Sequence, residues 1–137
     1  MFATAQQIHP SDSPPLVPQE DLAFLRVIAA RSRCAARTDL FEACALLSME
    51  TSRAAETLAL ALFRAFSGQG GMPRLRIYQP AAVEISFDER WLLAALAAAK
   101  RGDRDSLTFL LARRIPRHAQ RNIGFLVSAL ADAQEAT

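Results

Sequence analysis

Apolar residues recur at helical spacing along most of the chain, and the longest such pattern runs from Asp39 to Phe66. At 100° per residue, Asp39, Glu42, Glu50, Arg53, Glu56 and Arg64 gather within about a third of the helical circumference, with Phe41, Ala45, Leu47, Leu58, Leu62 and Phe66 largely outside it. A helix patterned this way is buried on most of its faces. Leu46, Met49 and Leu60 land inside the polar stripe, where this chain or another molecule must cover them. Unbroken, the segment would span about 42 Å, more than the roughly 37 Å diameter of a compact chain of this length. The pattern therefore predicts an overhang, which a homodimer would bury, or a break at Ser48–Ser52, where hydroxyl side chains compete for backbone hydrogen bonds.

The same period marks four further helices. One starts near Pro18, with Glu20 and Asp21 in its first turn, Arg31, Arg33 and Arg37 towards its end, and Leu22, Phe24, Leu25, Ile28, Ala29, Ser32 and Ala35 as its buried stripe. Ser86 and Glu89 have capping-box spacing and open a helix over about Phe87–Arg101. Gly102 ends that helix and Asp103 caps the next, over about Arg104–Arg114, making a tight αα-hairpin. Pro116 starts a last helix to about Ala133 whose inner face is Ala119, Ile123, Leu126, Val127, Leu130 and Ala133. Between the second and third helices, Gly68–Gly71 supplies left-handed backbone for a stop, and residues 74–87 alternate apolar and polar at period two. That segment predicts either a small hairpin turning at Pro80–Ala82 or, preferred here, an extended loop pinned by its apolar side chains, because two isolated short strands are marginal.

Composition agrees with an all-α fold: an irregular bundle of about five helices, with the Gly-rich loop and a short extended segment near residues 68–86. The chain is 51% hydrophobic, much of that Ala and Leu, with one Tyr and five Gly. At 137 residues it is long enough for one helical domain over residues 18–137, preceded by a Ser-, Thr- and Pro-containing tail over residues 1–17 expected to be flexible. The N-terminus lacks the cationic start and apolar run of a secretory signal, and no apolar stretch of about 18 residues is free of charge, so a cytoplasmic protein with no membrane partner is expected.

The segment AAAKRGDRDSLTFLLARR resembles half an ankyrin repeat, with an Ala-rich helix, Gly-Asp and then a Leu-rich helix. It occurs once, without that family's Thr-Pro-Leu-His start or a 33-residue period, and a generic helical hairpin explains the same residues. No family is assigned on it.

Net charge of the whole chain is only +2, but residues 100–121 carry +5, leaving −3 for the rest. Within that cluster and just beyond it, Arg113, Arg114, Arg117, His118, Arg121 and Phe125 form the candidate binding surface, and Arg121 and Phe125 have the four-residue spacing of a cation–π pair. Basic side chains after a short helical hairpin suit nucleic acid, although the last helix mixes few Asn, Gln, Ser or Thr among its Arg residues. The alternative is a solvated face on which Arg117 and Arg121 pair with Glu50 and Glu56.

Catalytic chemistry is thinly supplied. His9 lies in the tail, and His118 has no Asp, Glu, Ser or Cys within its own helical turn. Asp88 and Glu89 are adjacent carboxylates in a first helical turn, where capping and the helix dipole account for both. Cys34 and Cys44 lack the companion ligands of a metal site, the glycines of Gly68–Gly71 lack the Lys-Ser/Thr of a phosphate loop, and Trp91 reads as a core anchor. No catalytic set, metal or cofactor is expected. The residues point to a small regulatory or adaptor protein that presents a helical surface, with Leu46, Met49 and Leu60 as candidate interface positions and self-association or an unidentified protein as the partner. The second reading is nucleic-acid binding through residues 100–121, and a third, enzymatic reading needs a pocket beside His118 or the cysteines.

Overall fold

Ser86 ends an extended run of chain and begins a helix by a complete capping box. Its hydroxyl accepts from the Glu89 amide at 3.0 Å, and the Glu89 carboxylate accepts from the Ser86 amide at 2.8 Å. The computed structural model describes residues 17–33, 53–66, 68 and 70–136, and within these the fold is all-α with no strand. The helices are α1 (Gln19–Arg33), α2 (Arg53–Ala65), α3 (Phe87–Lys100), α4 (Arg104–Arg114) and α5 (Arg117–Glu135). Helix α5 packs against α2, α3 and α4, and α1 packs against α2 and α3, giving an irregular bundle in which α4 packs mainly on α3 and α5.

The core lies where those packed faces meet. Leu25 and Ile28 of α1, Leu62 of α2, Leu92 and Leu96 of α3, and Ile123, Val127 and Leu130 of α5 are sealed from solvent. The described parts of the apolar stripes expected for α1, α3 and α5 face this core, with Phe24, Ala119, Leu126 and Ala133 at its half-buried margin, and Ala35, Phe41, Ala45 and Leu47 lie outside the described residues. Trp91 anchors it: its ring meets Phe66 edge-on at 6.0 Å, and Nε1 donates to the Leu110 carbonyl at 3.1 Å.

The turn between α3 and α4 follows from two residues. Gly102 adopts φ +72°, so that the Asp103 amide reaches the Ala98 carbonyl and the Gly102 amide reaches that of Ala99, the paired bonds of a Schellman stop. Asp103 then caps α4 at once by accepting from the Ser106 amide (3.1 Å) and hydroxyl (2.7 Å). Those bonds, led by the Ser106 hydroxyl, hold its carboxyl below the usual range.

Residues 72–86 form the expected loop. A turn closes where the Ala82 amide donates to the Gln79 carbonyl across Pro80 and Ala81, but no ladder follows. Side chains replace it. Arg26 donates to the carbonyls of Ala82 (2.7 Å) and Glu84 (2.6 Å), Glu89 accepts from the Tyr78 amide (3.0 Å), Asp88 from the Arg76 amide (2.6 Å), and the Ser86 hydroxyl donates to the Arg76 carbonyl. Backbone groups that a sheet would have satisfied are thus met by residues of α1 and the first turn of α3.

Of the 39–66 pattern, the described part is helical from Arg53 to Ala65. Leu46, Met49, both cysteines and the Ser48–Ser52 break lie outside the described residues, as do residues 1–16.

Candidate interaction surface

Helix α4 has an open groove on each side. The larger, about 780 Å³, runs between α3 and α4, and Val17 and Pro18 ahead of α1 also line it. Its floor is a single face of α3, Arg90, Ala94, Ala97 and Arg101, at helical spacings of four, three and four residues. Both arginines are exposed, and among the described residues Arg90 forms no ion pair and Arg101 holds a single 3.3 Å contact with Asp103. The α4 wall contributes Leu110 and Phe109, whose ring is 60% exposed with the Arg113 guanidinium 5.5 Å from its centroid. Among the described residues one carboxylate, Asp105, stands on that rim.

The second groove, about 490 Å³, lies between α4 and α5. Arg104 and Thr108 line it from α4; Gln120, Arg121, Phe125 and Ser128 line it from α5. Gly124 lies at its base because α4 comes so close there that an added Cβ would stand 3.2 Å from Leu111 Cδ1.

The basic residues expected to act together are divided by the fold. Arg113, Arg117, His118, Arg121 and Phe125 are exposed. Arg114 is half-buried instead: it bonds Asp88 and lies over the rings of Phe87 (5.4 Å) and Trp91 (5.3 Å), so it stitches α4 to the start of α3. The expected stacking of Arg121 on Phe125 is not formed, and among the described residues neither makes another polar or ring contact. Pairing of Arg117 or Arg121 with Glu56 is likewise absent, because Glu56 is held by Arg31 at 2.8 Å. Leu60 is half-buried and packs against the core, whereas Phe87, Phe109 and Phe125 are, among the described residues, the large exposed rings that periodicity did not single out as a group.

The possible acid–base residues have structural roles. Glu89 is 1% exposed and bound to Arg26, itself 4% exposed. Burial pushes the Glu89 carboxyl up, but bonds from Arg26, Ser86 and Tyr78 together with the Arg26 charge outweigh it and hold the group below its usual range. The bond to Glu89 in turn raises Arg26. Asp88 is occupied by Arg76 and Arg114, and His118 sits exposed near Gly70 with no hydrogen bond among the described residues. Among the described residues there is no cluster of three potential metal ligands and no helix long and apolar enough to cross a membrane. No family model, curated protein or solved structure matches this chain.

Proposed function

We propose that this protein is a small non-enzymatic adaptor that holds an amphipathic helix of a partner protein in the groove between α3 and α4. The observation that carries this reading is the Arg90–Ala94–Ala97–Arg101 face, open along the groove beside Phe109, whose ring stays 60% exposed with Arg113 over it. Two alanines in mid-groove let a second helix approach closely, and flanking Leu93, Leu110 and Phe109 give its apolar stripe something to bury against. The arginines stand about 16 Å apart along α3, so acidic side chains eleven residues apart on the partner would meet both. Asp105, opposite them, disfavours a uniformly acidic ligand and gives the groove a direction.

The test is a titration of the isotope-labelled protein with a designed 16-residue helical peptide carrying a Leu/Phe stripe and one Glu near each end. Amide shifts centred on Ala94, Ala97 and Phe109, with at least tenfold weaker binding by the Arg90→Glu/Arg101→Glu variant, are expected. Shifts elsewhere, or none at millimolar peptide, would overturn the reading. A dimer in sedimentation analysis that Phe109→Asp converts to monomer would assign the groove to a second copy of this chain.

A further inference from the structure

We infer that the other groove, between α4 and α5, binds single-stranded nucleic acid, with a base stacked on Phe125 and neighbouring phosphates held by Arg104 and Arg121. It stands apart from the helix-binding groove because it opens on the opposite side of α4, and it takes a ligand of different chemistry.

Two exposed arginines face this groove from different helices, and no carboxylate among the described residues lines it. Elsewhere the protein neutralises cations that it uses structurally: Arg26 meets Glu89, Arg31 meets Glu56, Lys100 meets Asp21 and Arg114 meets Asp88. Arg104 and Arg121 have no such partner among the described residues. Arg117, one turn before Arg121, extends the same charge along α5, and the first carboxylate that α5 carries is Asp132, a turn beyond Ser128. A run of phosphates can follow that face from Arg117 to Ser128 without meeting a negative side chain of α5.

Phe125 is 66% exposed, and Arg121, four residues before it, does not cover its face. An aromatic face between unpaired cations matches a nucleotide, which joins a planar base to an anion, and it is the arrangement by which unstructured strands are held with little sequence preference. Duplex phosphates would use the arginines but leave the ring idle, because paired bases hide their faces in the stack. Thr108, Gln120 and Ser128 add hydrogen-bonding groups around the ring. Gln120 donates its amide nitrogen to the Ile115 carbonyl at 3.0 Å, which anchors the side chain and leaves its amide oxygen as an acceptor. Gly124 keeps the floor clear, since any larger residue would press on Leu111 and project into the groove.

The measurement is fluorescence anisotropy of labelled dT15 and of a labelled 15-base-pair duplex, each at about 50 and about 200 mM salt. Micromolar binding of dT15 that weakens about tenfold over that range is expected for two or three phosphates. Phe125→Ala should weaken dT15 binding about tenfold and leave its salt dependence unchanged, whereas Arg104→Glu/Arg121→Glu should abolish it. All three positions are exposed, and Glu at the first residue of α4 favours that helix, so unchanged far-UV circular dichroism is expected to show intact folding in each variant. No binding of dT15 at the lower salt overturns the inference. So does tighter binding of the duplex, or binding that Phe125→Ala leaves unchanged; either result would leave a phosphate-directed surface without a base platform. Loss of helical-peptide binding in the α3/α4 groove has no bearing on these outcomes, and Arg90→Glu/Arg101→Glu should leave dT15 affinity within about twofold.

Discussion

Arg26 and Glu89, sixty-three residues apart, form a two-pronged buried ion pair, with Nε to Oε2 at 2.7 Å and Nη2 to Oε1 at 3.1 Å. The pair joins α1 to α3, and each partner also satisfies backbone groups of the intervening loop: the carbonyls of Ala82 and Glu84, and the amides of Tyr78 and Ser86. It therefore orders the loop in the absence of a sheet.

Removing either partner strands a buried charge. Arg26→Ala and Glu89→Ala should each lower stability by about 3–5 kcal/mol, read from urea unfolding. The Arg26→Met/Glu89→Leu double variant should lose clearly less than the sum of the two, because it leaves no lone charge. Its loop will still loosen, and amide exchange at Tyr78 and Ser86 should accelerate.

Acid should weaken the same link. The folded Glu89 carboxyl lies below its ordinary range. Its contribution is therefore complete above the unfolded value, about pH 4.3, and is lost as pH falls through the depressed folded value. Arg26 is raised, so its contribution is present throughout this range and does not change with acid. Urea midpoints measured from pH 7 down to pH 3 should fall for the wild type below about pH 4.3. Glu89→Gln should start lower and fall less. Equal slopes would mean that other carboxylates dominate, Asp103 being one that acts in the same direction.

Trp91 reports on the α3–α4 seam, since it is the one tryptophan and lies under Arg114. Arg114→Met removes the Asp88 bond and the contacts with two rings, and should shift the tryptophan emission and cost about 1–2 kcal/mol. Arg114→Lys should recover only part of either effect, because an ammonium lacks the flat guanidinium face. Unchanged emission in both variants would place Arg114 in solvent rather than over the indole.

Much of this architecture was legible residue by residue. The Ser86–Glu89 capping box, the Gly102–Asp103 stop and restart, and the apolar faces of α1, α3 and α5 all depend on contacts within a few positions, so spacing alone reveals them. Even the preference for a loop over a hairpin at residues 74–87 could be read, because the cost of an isolated two-stranded pairing is a local matter.

Within the described residues, what the sequence determined by itself is where α1, α3, α4 and α5 run and which faces of α1, α3 and α5 are buried, since these follow from local backbone hydrogen bonding and a 3.6-residue period. The tertiary structure decided which charged residues remain free. Arg26 is buried in α1 only because Glu89, sixty-three residues away, meets it, and Arg114 left the basic surface once Asp88, Phe87 and Trp91 enclosed it. Arg90, Arg101, Arg104 and Arg121 were separated into two grooves by the packing of α4 between α3 and α5. A charge is neutralised by whatever the fold brings within about 4 Å of it, and no spacing along the chain encodes that distance.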